Sequence, residues 1–432
     1  MPNTSSLPSE PGTGESTSHV PSPAAEFADH SVTTVAPASD TAPGSLNIAN
    51  WQYPENIRRS FQNIAKIHPT ARVSRGNEPI VRLHISQARL GNLEVPKASY
   101  TDPSLTVRGV IHATDTDAVL VVHNGRILWE KYNNTMTAQT DHLLMSVSKT
   151  VVGTLAGALS DAGLLNVDEL ASTYVAELAN SGYASATVRN ILDMRSGIKF
   201  SEEYLDPNAE VRLLEEAIGW APARGAVGPI GMYDYLLTLQ AKGPHGGPFE
   251  YRSCETDVLG WILEAAGGGS MQQLLSEYVW SKIGAQQDLV MGVDQYGTGM
   301  YDGGFNATLR DLARLGHVYV NGGRALNGKQ VISPEWISDT FSQDPEQFEA
   351  FANSPGDNMM PGGRYRNQIW FPNPQTNAAV ALGIHGQMIY MDPATKLVIV
   401  KLSSWPLPQD PSKLFPTLRA FEAISQHLRE NG

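Results

Sequence analysis

A single cysteine, Cys254, in a chain of 432 residues rules out an intrachain disulfide and a thiolate metal cluster. No apolar run approaches the roughly 20 residues that span a bilayer. Neither a G-x-S-x-G elbow nor an H-E-x-x-H pair occurs, which argues against an α/β-hydrolase triad and a zincin site. Lysine and arginine are missing altogether from Met1 to Leu46, a stretch rich in Ser, Thr, Pro, Ala and Gly with no helical or strand periodicity. That composition predicts a disordered tail over 1–46. The tail lacks the basic start and the apolar core of about 7 to 15 residues of a secretory leader, so a cytoplasmic protein is expected. Net charge is −13 with no long basic run, which argues against nucleic acid or an anionic membrane surface as partner.

What is present is a serine and a lysine three residues apart, Ser146-Val147-Ser148-Lys149, in the helical-looking stretch MSVSKTVVGTLAGAL. That spacing puts both side chains on one helix face. A serine hydroxyl is a weak nucleophile at neutral pH, and a shielded amine that loses its proton can activate it without histidine. Thr150 to Leu159 is small and apolar, the pattern of a helix buried on most sides, so Lys149 is expected to be desolvated and its pKa lowered. The alternative is a solvated helix face with a snorkelling lysine.

Strand-like runs lie towards both ends of the chain. Ala118 to Val122 and Arg126 to Tyr132 flank Asn124-Gly125, a hairpin signal, and Gly386 to Met391 and Leu397 to Leu402 flank a second turn at 392–396. Between them, helical patterns cover Thr187 to Met194, Met232 to Gln240, Thr256 to Ala266, Met271 to Ile283 and Thr308 to Asn321, with Thr187 and Thr308 as N-caps and Gly322-Gly323 as a stop. Leu414 to Leu428 reads as a final amphipathic helix over the sheet. The architecture expected is α+β: an antiparallel sheet from about 105–140 and 375–405, with an inserted helical lobe at about 160–340. A nucleophile at the boundary of that lobe would face a cleft. Tyr251, between the loop at 243–248 and the helix beginning near Thr256, is the best second catalytic group, against the plainer reading of a half-buried aromatic.

Ser146-x-x-Lys149, Tyr251-x-Ser253 and the strand Gly383-Ile384-His385-Gly386-Gln387 together resemble the three-part signature of the penicillin-recognising serine hydrolases. Within that superfamily the chain looks like the class C β-lactamase-like branch, and most of all like the 6-aminohexanoate-dimer (nylon-oligomer) hydrolases and their carboxylesterase relatives. Leu192 to Ile198, Thr256 to Leu259 and Val400 to Pro406 extend the likeness, which covers nearly everything from Trp51 onward. The resemblance implies one β-lactamase-like domain over 47–432, a homodimer, a small-molecule amide or ester substrate and no cofactor or metal.

It also implies roles. Ser146 would be the nucleophile, neutral Lys149 and Tyr251 would share proton transfer, and the backbone N–H groups of Ser146 and Ile384 would form the oxyanion hole. Tyr204 would close over the substrate amide and Trp370 would wall the pocket. Glu215 stands where the family places an aspartate near the substrate ammonium, and Asp302 where it has asparagine. His385 is expected as a pocket wall or as a strand-positioning hydrogen bonder. Tyr251-Arg252-Ser253 lacks the asparagine of the β-lactamase Tyr-x-Asn, and Ala381-Leu382-Gly383 or the following Ile384-His385-Gly386 stands in place of Lys-Thr-Gly, so efficient β-lactam hydrolysis is disfavoured. The activity implied is hydrolysis of short linear 6-aminohexanoate oligomers with carboxylesterase side activity. A carboxylesterase or D-peptidase-like hydrolase without oligomer cleavage and a non-enzymatic acyl sensor remain as alternatives.

Overall fold

A computed structural model describes residues 44–431 except 102, 226 and 227. The tail expected over 1–46 therefore lies outside the described residues as far as residue 43. The main sheet has eight strands in the spatial order Arg364–Arg366, Ile369–Phe371, Ala379–Gly383, Gln387–Asp392, Leu397–Ser403, Thr116–His123, Arg126–Tyr132 and His84–Ile85. Every pairing is antiparallel except that of the edge strand His84–Ile85. Both hairpins form. Asn124 and Gly125 take φ of 50° and 73°, the left-handed pair that a two-residue turn between His123 and Arg126 needs.

Alternation along the strands divides the core. Val119 and Val121 pack with Tyr390, Ile399 and Phe421 beneath the C-terminal helix Pro411–Asn431. Leu120 and Val122 point to the other face, into the cluster that holds Leu155, Leu312 and Val400. There the helices Ser148–Asp161 and Leu309–Val320 cover the sheet. Gly153 permits a close approach: a Cβ there would lie 2.6 Å from the Asn367 carbonyl oxygen.

The expected helices appear with the expected caps. Thr187 and Asn190 form a capping box, and the Thr308 side chain accepts from Asp311 N at 3.2 Å. Two features differ. The segment expected as one helix over 271–283 is α-helical only over Met271–Leu275 and widens into a π turn over Ser276–Trp280, closed by Ser281 N to Ser276 O at 3.1 Å; this buries Val279 and Trp280 fully. The sheet is also larger than expected, because His84–Ile85 extends one edge and Arg364–Arg366 and Ile369–Phe371 the other. The turn between the latter two is Asn367-Gln368, with φ of 49° and 66°, a pair without the glycine that usually marks such turns. Asn367 is held there by Arg189, Asp193, Asp339 and Thr340.

A second sheet of four short strands, Thr70–Val73, Leu289–Gly292, Phe305–Ala307 and His142–Leu143, stands beside the first. Its last strand by position, His142–Leu143, leads straight to the turn that carries Ser146. Among the described residues no helix is long and apolar enough to cross a membrane.

Candidate active site

Ser146 sits in the 3-10 turn Met145–Val147, just ahead of the helix Ser148–Asp161. Met145 has φ of 47°, a strained value for a residue with a side chain. The strand pairing before the turn and the buried helix after it impose this backbone, with Leu144 N bonded to Phe305 O at 2.9 Å. Lys149, one helical turn on and 1% exposed, places its Nζ 2.9 Å from Ser146 Oγ, 3.1 Å from Ser253 Oγ and 2.9 Å from the carbonyl oxygen of Asp302. The Asp302 carboxylate lies 3.6 Å from the same nitrogen.

Three oxygens around one amine suit an ammonium with three donors. Burial pulls the Lys149 pKa down, but Tyr251, Asp302, Glu202 and Asp257 together outweigh it and hold the amine above its ordinary value. The expectation of a neutral, depressed Lys149 is thus corrected. The desolvation argument holds for the helix alone, and the acids come from three other segments.

Tyr251 precedes the helix Ser253–Gly267, lines the same cleft as Ser146 and has Lys149 Nζ 5.2 Å from its ring centroid. Its ring stacks on Trp370 with centroids 5.1 Å apart and meets Tyr365 edge-on at 6.2 Å. Burial raises the Tyr251 pKa, with Lys149 opposing. The helix has no side-chain cap at Arg252, and Glu202 supplies one from a distant loop by accepting from Ser253 N. Glu202 also accepts the Tyr204 hydroxyl proton at 2.5 Å. It is a half-buried carboxylate whose pKa is raised, first through loss of solvent and with Lys149 opposing.

The strand Ala379–Gly383 closes the other side. A Cβ at Gly383 would lie 2.6 Å from Leu144 O and 3.1 Å from Ser146 N, so Ile384 directly follows a point where the strand touches the turn that carries Ser146. His385 does not line the cleft. It has φ of 61°, its Nδ1–H donates to Trp405 O at 2.7 Å, its own N–H donates to Pro408 O, and burial lowers its pKa to about 4. It positions the strand, the second of its two expected roles.

The cleft above these groups has a volume of about 770 Å³ and brings together Ser146, Glu202, Tyr204, Tyr251, Trp370 and Ile384. Two expected pocket acids are used elsewhere. Glu215 is buried against Arg212 at 2.8 Å and Gln52 at 3.1 Å, outside the cleft lining, and Arg212 in turn holds the Tyr204 carbonyl oxygen at 2.8 and 2.9 Å. Asp302 faces Lys149 and, through its N–H, Asp257 Oδ1 at 3.0 Å. Sequence reasoning missed Glu202, Asp257 and Arg212. The only signal for Glu202 was its place two residues before Tyr204.

The beta-lactamase family pattern matches residues 106–421. The chain is 37% identical over 372 residues to the 6-aminohexanoate-dimer hydrolase of Paenarthrobacter ureafaciens, covering 85% of this chain and 90% of that one. A solved Bacillus anthracis structure, named as a candidate 6-aminohexanoate-dimer hydrolase, superposes with a TM-score of 0.80 at 27% identity over 90% of this chain and 98% of its own. A family VIII carboxylesterase shares the fold, with a TM-score of 0.54 at 16% identity over 73% and 96% of the two chains. The chain is therefore a hydrolase that belongs to the beta-lactamase family.

Proposed function

We propose that this protein hydrolyses the amide bond of short linear 6-aminohexanoate oligomers through an acyl-enzyme on Ser146. The observation that carries this reading is the 2.9 Å approach of Lys149 Nζ to Ser146 Oγ in a cleft that also presents Tyr251 and Tyr204. The 37% identical relative supports the choice of substrate.

With Lys149 held as an ammonium, the base is Tyr251. Once the Lys149 and Tyr251 pair has lost one proton, Ser146 Oγ–H passes its proton to the Tyr251 oxygen and Oγ bonds to the carbonyl carbon. The carbonyl electron pair moves onto oxygen, which the N–H groups of Ser146 and Ile384 receive. Each such donor is worth roughly 3–4 kcal/mol of barrier. Collapse breaks the C–N bond, and the departing amine takes the proton from Tyr251. Water then attacks the ester and gives a proton to Tyr251; the acyl C–O bond breaks, and Tyr251 passes that proton to the departing Ser146 Oγ.

A carboxylesterase without oligomer cleavage is the second reading. It is favoured by Glu215, whose carboxylate is bonded to Arg212 and Gln52 rather than presented to a substrate ammonium. Release of free 6-aminohexanoate from its linear dimer, with Ser146→Ala alongside, separates the two. Cleavage abolished by the substitution supports the amidase, and ester turnover without dimer cleavage selects the esterase.

A further inference from the structure

The cleft does not end at the reacting groups. Beside Trp370 its wall is an apolar arm of Met359, Met360, Leu382, Leu414 and Phe415, of which Met360, Leu382 and Leu414 share one packed cluster with Trp370. These residues come from the short helix Pro355–Met359, the strand that ends at Gly383 and the start of the C-terminal helix. Its floor is a small separate core of Met194, Phe249, Phe351, Met360 and Tyr365, on which Tyr251, Trp370, Leu382 and Leu414 are packed. The arm is therefore rigid below and lined by adaptable methionines on one side. Leu382 lies two strand residues before Ile384, about 6–7 Å along the chain. A few methylenes attached to a carbonyl held at Ile384 would reach it.

The two lysines of the mouth are paired, and Glu202, Glu203 and Asp410 leave its lining with more acids than bases. Lys242 pairs with Glu250 at 2.6 Å and Lys199 with Glu210 at 3.8 Å. No unbalanced cation at these positions waits for a substrate carboxylate, and the apolar wall would penalise any charge placed against it.

We propose that this arm is a subsite for an unbranched, uncharged hydrocarbon chain attached to the scissile ester or amide group, so that chain length, more than terminal charge, selects the substrate. The inference deepens the hydrolase reading and rests on Ser146 as the reacting group, but its test needs no turnover. The chain can belong to the acyl part or to the leaving group, and two ligand series distinguish them.

The experiment is calorimetric binding of methyl alkanoates, from acetate to octanoate, and of alkyl acetates, from methyl to octyl, to the full-length Ser146→Ala protein. Kd is expected to fall about three- to fourfold per methylene in at least one series, and the series that shows it identifies which side of the bond enters the arm. Adding Met359→Glu should flatten that dependence. Met359 is 38% exposed, so the substitution leaves the core intact; Leu414→Asp from the opposite wall provides a second check. A flat dependence in both series, or one that survives both substitutions, overturns the proposal. Binding that follows chain length in a protein unable to release 6-aminohexanoate would keep the subsite and remove the oligomer reading. Dimer cleavage without chain-length dependence would do the reverse.

Discussion

Lys149 Nζ lies 2.9 Å from Ser146 Oγ and 3.6 Å from the Asp302 carboxylate, so the amine beside the proposed nucleophile carries a buried counter-ion. An opposite charge this close stabilises the ammonium. Tyr251, Glu202 and Asp257 act on Lys149 in the same direction, and Asp302 is the partner in direct contact.

Asp302→Asn should therefore shift the pH dependence of the reaction. The folded Lys149 pKa is raised, so the one-proton-deficient pair with Tyr251 accumulates on the alkaline side and kcat/KM rises with pH. Removing the Asp302 charge lowers the Lys149 pKa and should move the acid limb down by about one to two pH units. A pH profile of kcat/KM checks this, and an unmoved limb would refute Asp302 as the charge-setting partner.

Gly383→Ala tests the contact between strand and nucleophile turn. The new Cβ would crowd Leu144 O and Ser146 N. A loss of about 10²–10³ in kcat is expected if Ile384 and Ser146 hold the oxyanion, with a stability cost of about 1–3 kcal/mol from overpacking. Steady-state kinetics and a denaturant titration measure the two separately.

Much of this arrangement was legible in the sequence. The S-x-x-K spacing anticipated the approach of Ser146 and Lys149, because residues three apart stay neighbours across the 3-10 turn that runs into the helix. Asn124-Gly125 and the Thr187 and Thr308 caps were equally local. The charge state of Lys149 was not legible. Glu202, Asp257 and Asp302 are dispersed over a hundred residues and meet only after folding. The positive φ of Met145 is imposed by tertiary packing against the propensity of that residue. Glu215 was expected beside a substrate ammonium and lies outside the cleft lining, because its partner Arg212 lies one helical turn before it on the same helix and its other partner is Gln52.

Glu215→Ala leaves Arg212 without its carboxylate and loosens the Tyr204 backbone that Arg212 holds. Ester and amide turnover should fall together, with about 1–3 kcal/mol lost from stability. A selective loss of dimer cleavage, with ester turnover unchanged, would instead indicate contact with the substrate ammonium.

Lys401 is fully buried on the central strand, donating to Thr114 O at 3.2 Å and to Ser403 Oγ, and burial lowers its pKa to about 7. Its folded pKa lies below the ordinary lysine value, so between about pH 7 and 10 the unfolded chain binds the extra proton. Stability from this group thus rises with pH across that window and is lost as pH falls towards 7. Lys401→Met should raise stability by about 1–2 kcal/mol at neutral pH and flatten the slope of Tm against pH. Thr114 O keeps its bond from Trp405 Nε1 at 2.8 Å.

The most direct test of the central claim is mass spectrometry of the protein quenched during turnover of a slow ester or of the linear 6-aminohexanoate dimer. The account predicts one acyl group on the peptide that contains Ser146, absent from Ser146→Ala. An unmodified Ser146 peptide during undiminished turnover, or an acyl group on another residue, would contradict it.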